Sequence, residues 1–269
     1  MKNQKNMTKT KQNSDLNSHT GKIKFEINYP ELYELGDKLQ NEYQAGAPFP
    51  NIVIDNFFSQ KTYDNICSIF PDAGSDIWKT PTNKYTINRS VTKQGELGLK
   101  EFLFDENQRR LLMELNSSLF LRFIEKLSGI EGLIPDPYFA EGGYNIAGTG
   151  GTLGIHADFS HHDKIGLERR VNMLIYVNNK WKESYGGALS LYDKDINCIK
   201  EIFPFGNRIV VFTTSPTSFH GFSEPLKMPK NVYRQSINLY YYTIPRKDRE
   251  VKRILFPSDP EFVHISTKE

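Results

Sequence analysis

A change of hydrophobic period at Gly129 constrains this chain more than any other feature. Before it, apolar residues recur at helical spacing. After it, short strand-like runs alternate with Gly, Pro and Asn turns, and no long helical pattern returns. Such a chain is expected to be mainly β with flanking α-helices. Eight short strands in two facing sheets form a jelly roll, the cupin-like double-stranded β-helix, and the preceding helices pack on one outer sheet face.

The organisation follows from that division. Residues 1–22 are polar and rich in Lys and Asn, with almost nothing to bury, and read as a disordered tail. Residues 23–135 form a helical and strand support region. Residues 136–245 form the β-helix core, and 246–269 a C-terminal extension, with 23–269 as one globular unit. Leu32, Leu35, Leu39 and Tyr43 mark a first helix, with Pro30 in its first turn. Ser59 caps a second helix that runs to about Phe70 and is stopped by Pro71. A third runs from Gln108 to about Ser128 on an apolar face of Leu111, Leu112, Leu115, Leu119, Phe123 and Leu127, and Gly129 ends it.

Composition excludes several function classes. A chain of 269 residues with 38% hydrophobic and 13% aromatic content buries a real core. A formal net charge of +2 exerts no global pull toward nucleic acid or membrane. No apolar run reaches membrane length, and no signal-peptide core follows Met1. Two cysteines, Cys67 and Cys198, make no disulfide framework, so a reducing cytoplasm is expected.

His156-Ala157-Asp158 carries the chemistry. Side chains alternate along a strand, so His156 and Asp158 point the same way. His220, from a distant strand, completes three ligands on one side of a metal. Two histidines and a carboxylate leave three adjacent coordination positions open, the arrangement of non-haem Fe(II) oxygenases. His161 and His162 lie in a polar stretch and are weaker ligand candidates. In the last strand, Arg234, Ser236, Asn238 and Tyr240 share one polar face suited to the barrel interior. A buried arginine is costly unless paired, and its planar fork matches a carboxylate through two parallel hydrogen bonds.

Further blocks surround these residues: Tyr144 through Asp158 (YNIAGTGGTLGIHAD), Arg169 to Asn178 (RRVNMLIYVN), Trp181 with Gly186-Gly187-Ala188-Leu189, Pro204 to Phe212, His220-Gly221 and Arg234-Gln235-Ser236. Over roughly residues 138–243 the chain resembles the Fe(II)- and 2-oxoglutarate-dependent dioxygenases of the prolyl 4-hydroxylase-like superfamily. The strand-like stretch Pro48 to Phe57 resembles the one that opens many bacterial and phage members. The resemblance implies Fe(II) held by His156, Asp158 and His220, and 2-oxoglutarate and dioxygen as co-substrates, with ascorbate as an accessory. It implies that Arg234 binds the distal carboxylate of 2-oxoglutarate, helped by Tyr176. Tyr144, Asn172 and Ser236 are expected in the same pocket. The implied reaction is hydroxylation with release of succinate and CO2. Retention of Asp158 favours that outcome, because related halogenases replace this carboxylate with a small residue.

Substrate is less legible. A small molecule or a peptidyl proline fits equally. One of Arg169 and Arg170, otherwise solvated charges at a strand start, and Arg89 in the stretch Lys84 to Arg89, are expected to contact substrate. Arg208 is expected in a structural salt bridge, Gly186 and Gly187 in a tight bend, and the Pro225–Lys230 stretch either shapes substrate choice or is a surface excursion. Two other readings stay open on the residues alone: a cupin-type metal enzyme that uses no 2-oxoglutarate, and a non-catalytic binding or sensing module on the same barrel.

Overall fold

The computed structural model describes residues 22–75, 77–78, 89–90, 104–139, 142–162 and 165–246. The tail, the Lys84–Asn88 stretch and most of the C-terminal extension lie outside these residues.

Four helices come first among the described residues: α1 (Tyr29–Ala45), α2 (Gln60–Ile69), α3 (Glu106–Leu115) and α4 (Ser118–Ser128). Pro30 sits in the first turn of α1. The Ser59 side chain accepts from Thr62 N–H and starts α2. The single helix expected from Gln108 to Ser128 is in fact two. Asp105 and Gln108 close a capping box that starts α3. Asn116 ends it, and the Ser117 hydroxyl accepts from Phe120 N–H to start α4. A serine that bonds the backbone locally competes with helix continuation. The break reorients the apolar face: Leu119 is 55% exposed, whereas Leu111, Leu115, Phe123 and Leu127 are fully buried. Gly129 then closes α4 in the left-handed conformation, φ 68°.

Twelve strands follow or interleave among the described residues: β1 (Asn51–Ile54), β2 (Arg89–Ser90), β3 (Ile134–Pro135), β4 (Gly143–Ala147), β5 (Leu153–His156), β6 (His161–His162), β7 (Leu167–Tyr176), β8 (Leu189–Tyr192), β9 (Cys198–Ile202), β10 (Arg208–Thr213), β11 (Phe219–Phe222) and β12 (Arg234–Thr243). The larger sheet has the order β1-β10-β7-β12-β4-β2, with β3 added on β12 and β6 on β7. The smaller has the order β5-β11-β8-β9. Strands β10, β7, β12 and β4 and the four strands of the smaller sheet are the eight of a jelly roll, as the strand pattern predicts. The support region contributes to the barrel directly, because β1 pairs with β10 from Asn51↔Phe212 to Ile54↔Ile209.

The two faces of the larger sheet are sorted by period 2. Met173, Ile175, Val211, Ile237 and Leu239 face outward and share a core with Ile66, Leu112, Phe120 and Phe123 of the helices. Leu174, Tyr176, Val210 and Phe212 face inward and meet Leu189, Leu191 and Ile202 of the smaller sheet. The helices therefore brace the sheet from outside and leave the mouth of the barrel to β5, β11 and the loops.

Candidate active site

His156 ends β5 and His220 lies in β11, and the two are directly paired across the ladder. Asp158 follows two residues later. The ligand atoms of the three lie within 4.8 Å of one another, the spacing of groups that hold a single ion. His156 Nε2 is 3.6 Å from Asp158 Oδ1, and His220 Nε2 is 3.4 Å from Oδ2.

Both rings are oriented from behind. His156 Nδ1 is 2.7 Å from the Gly154 carbonyl, and His220 Nδ1 is 3.0 Å from the Ser218 carbonyl. A carbonyl only accepts, so each Nδ1 donates, and each Nε2 keeps its lone pair for the site. Phe212 lies edge-on to the His220 ring at 4.9 Å. Burial lowers the His220 pKa to about 4, so the ring is neutral and ready to ligate at neutral pH. Burial would raise the Asp158 pKa, but the charge of Arg169 foremost outweighs it and holds the carboxyl well below its usual range. The donor set is two lone-pair nitrogens and one ionised oxygen, which suits Fe(II).

Arg234, at the start of β12, is buried on the inner face. Its Nε donates to the Gly187 carbonyl at 2.9 Å, and its Nη2 donates to the Tyr176 hydroxyl at 3.1 Å. The guanidinium carbon lies 4.4 Å from the centre of the Phe222 ring. Gly187 has φ 73°, and a Cβ there would sit 2.5 Å from Leu226 Cδ2 and 3.2 Å from Arg234 Cδ. The close approach of backbone to Arg234 thus requires glycine. The Pro225–Lys230 stretch runs along the surface, with Pro225, Lys227, Pro229 and Lys230 exposed, but it turns two side chains inward. Leu226 and Met228 are buried with Trp181, Phe222 and Ala147, behind Arg234.

Arg169 sits elsewhere than a substrate-facing mouth residue. It is fully buried, with Nη2 3.1 Å from Asp158 Oδ2 and Nε donating to Asn172 Oδ1 at 2.7 Å. Its guanidinium lies over the Tyr240 ring at 3.4 Å and the Phe159 ring at 4.6 Å. Asn172 in turn donates from Nδ2 to Asp158 Oδ2, so its side chain serves the metal-site carboxylate rather than a co-substrate pocket. The cause is a β-bulge. Along β12, Tyr241 pairs with Val171 but Tyr242 pairs with Arg169, so Arg170 is the extra residue. The alternation reverses there. Arg169 turns to the inner face with Asn172, and Arg170 is bonded instead to Thr243 Oγ1 at 3.2 Å.

The other sequence candidates separate. Ser236 shares the inner face with Arg234, and its hydroxyl donates to Asn238 Oδ1 at 2.9 Å. Tyr144 does not reach the pocket. It pairs with the outward residue Ile237, its hydroxyl donates to Gln108 O at 3.1 Å, and its ring packs on Phe70 and Phe104. Asn145, paired with Ser236, holds the inward position. Arg89 lies on β2 at the edge of the larger sheet, opposite Ile146. His161 and His162 lie on β6 outside the three-residue set, and His162 Nε2 is 3.7 Å from Asp136 Oδ1. Arg208 forms the expected ion pair, with Nε and Nη2 at 2.6 and 2.9 Å from the two oxygens of Asp55. Among the described residues, no helix is long and apolar enough to cross a membrane.

A jelly roll with this triad at one end and a buried arginine in the opposite sheet defines a class. Residues 142–242 match the model of the 2OG-Fe(II) oxygenase superfamily. The chain is similar to prolyl 3-hydroxylase OGFOD1 of Mus musculus, at 27% identity over 207 residues, covering 72% of this chain and 33% of that protein. A shorter match, 39% identical over 70 residues, relates it to prolyl 3-hydroxylase OGFOD1 of Xenopus laevis and covers 24% of this chain and 14% of that one. The chain thus spans a third or less of the length of these curated relatives. Its fold is similar to that of a Pseudomonas putida prolyl-4-hydroxylase, with a TM-score of 0.51 at 14% identity, covering 78% of this chain and 99% of the other.

Proposed function

We propose that this chain is an Fe(II)- and 2-oxoglutarate-dependent hydroxylase and that its substrate is a prolyl residue in a peptide. The observation that carries the reaction class is the conjunction of two sites. One is the His156, Asp158 and His220 set, with both Nδ1 atoms turned to backbone carbonyls and both Nε2 atoms toward Asp158. The other is the buried Arg234 and Tyr176 pair on the inner face. The prolyl substrate rests on the two curated relatives, whose names describe prolyl 3-hydroxylases. A cytoplasmic setting is supported by Cys67 and Cys198, both free thiols.

When bound, Fe(II) with 2-oxoglutarate and dioxygen supplies oxidative hydroxylation, with succinate and CO2 as co-products. His156, Asp158 and His220 would hold the metal from one side and leave the other open. Arg234 would take the distal carboxylate of the 2-oxo acid through its fork, with the Tyr176 hydroxyl beside it. The aliphatic and aromatic lining from Leu174, Leu189, Leu191, Val210 and Phe212 excludes water from that pocket. No side chain needs to act as a strong general acid or base, and the protein's task is to position and to keep the site dry.

The test is turnover of 2-oxoglutarate by anaerobically iron-loaded protein on adding air, against prolyl peptides and a metabolite panel. Succinate formed in step with gain of one oxygen atom by a prolyl peptide is expected. Coupled oxidation of a free metabolite alone would overturn the peptide substrate, and no succinate with any substrate would overturn the reaction class.

A further inference from the structure

Asp158 is held by more than the metal site requires. Its Oδ2 accepts from Asn172 Nδ2 and lies 3.1 Å from Arg169 Nη2. Arg169 Nε also donates to Asn172 Oδ1 at 2.7 Å, which closes a ring of three side chains and fixes which end of the Asn172 amide faces the carboxylate. The ring is itself held. Tyr240 and Phe159 cover the guanidinium at 3.4 and 4.6 Å, and the bulge at Arg170 brings Arg169 to the inner face. Arg169 is completely buried, so a fully hydrated alternative position is closed to it.

We infer that Arg169 and Asn172 form a clamp that fixes the orientation of the Asp158 carboxylate as a metal ligand. This rests on the Fe(II)- and 2-oxoglutarate-dependent reading above. A carboxylate free to rotate can offer both oxygens to one ion and so fill a further coordination position. Three adjacent positions must stay open, two for the 2-oxo acid and one for dioxygen. With Oδ2 engaged from two directions, the carboxylate plane is set, with Oδ1 toward His156 Nε2 and Oδ2 toward His220 Nε2. Arg169 is then a positioning residue. The planar fork is essential, because Nε and Nη2 reach two different partners; a lysine carries the charge on one atom and reaches one of them.

The experiment is done without substrate, so a substrate contact by Arg169 has no influence on it. Native protein and the variants Arg169→Gln, Arg169→Lys, Asn172→Ala and Asp158→Ala are purified anaerobically. Fe(II) affinity is measured by chelator competition, and 2-oxoglutarate binding by the visible charge-transfer absorption of a 2-oxo acid chelated to Fe(II). Arg169→Gln and Asn172→Ala are expected to weaken Fe(II) by about 10- to 100-fold, as loss of an outer partner of a metal ligand does, and to shift or abolish the band. Arg169→Lys is expected not to restore either. Native affinity and an unchanged band in both Arg169→Gln and Asn172→Ala would overturn the clamp, and so would full rescue by Arg169→Lys. If Arg169→Gln does not fold, by circular dichroism, Asn172→Ala decides alone. Failure of the native protein to bind Fe(II) would instead overturn the family reading, and loss of Fe(II) in Asp158→Ala alone would leave that reading standing and remove the clamp.

Discussion

Arg234 lies on the inner face beside Tyr176 and Phe222, where a charge without a partner is costly. On the proposed function, removing it would leave a 2-oxo acid carboxylate without its forked donor. Charge-assisted bonds of roughly 1.5–3 kcal/mol correspond to about 10- to 150-fold, so Arg234→Ala should raise the apparent KM for 2-oxoglutarate by that factor. Tyr176→Phe removes one hydroxyl and should act in the same direction with a smaller effect. Steady-state kinetics decide this, and normal 2-oxoglutarate use by Arg234→Ala would mean that another residue is the anchor. Asp158 is expected to govern outcome at the same scale. With the carboxylate in place, product formed in chloride buffer should be hydroxylated and never chlorinated. A chlorine isotope pattern in the native product's mass spectrum would show the ligand assignment to be wrong. Single residues were legible where their type and parity were enough: His156 with Asp158, and Arg234 with Ser236. Tyr144 was not, because its face depends on its pairing with Ile237, a register set by distant residues.

At the scale of elements, small breaks in regular structure decide what the site contains. The Asn116-Ser117 break gives α4 its own start. Ser117→Ala removes the cap to Phe120 N–H and should cost about 1 kcal/mol, read as a lowered unfolding midpoint with iron affinity unchanged. The bend at Gly186-Gly187 places a carbonyl on Arg234. Gly187→Ala would put a methyl 2.5 Å from Leu226 Cδ2 at φ 73°, so Leu226 or Arg234 must shift. We expect weaker 2-oxoglutarate binding with Fe(II) affinity retained; equal loss of both would mean that the bend supports the whole barrel and not the arginine. The bulge in β7 is the element feature least visible in sequence. Strict alternation from Tyr176 back through Leu174 and Asn172 arrives at Arg170. One extra residue moves the inward position to Arg169.

For the whole molecule, the outer helices and the end of the larger sheet carry stability. Phe123 is fully buried between α4 and the sheet, and Phe123→Ala should cost about 3–5 kcal/mol, seen in denaturant unfolding. Glu168 on β7 accepts from both the backbone and the side chain of Arg246. Burial would raise the Glu168 pKa, but the bonds from Arg246 outweigh it and lower the value. A carboxylate depressed in the folded state stabilises fully above its unfolded pKa of about 4.3 and loses that contribution as pH falls through the folded value. The unfolding midpoint should therefore fall with acidification below about pH 4.3 less steeply in Glu168→Gln than in the native protein. Equal slopes would show that the pair adds nothing to folding.

By itself the sequence determined the jelly roll and the shared direction of His156 and Asp158, because period 2, turn residues and the His-x-Asp spacing act over a few neighbours in the chain. It determined the buried arginine for the same reason, since alternation in β12 puts Arg234 on a polar face. The tertiary structure decided the rest: that Tyr144 braces α3, that Asn172 and Arg169 hold Asp158, and that Leu226 closes the wall behind Arg234. Each of these depends on register between strands far apart in sequence or on one bulged residue. A shift of one residue in a strand exchanges inside for outside, and nothing local in the chain marks where that shift occurs.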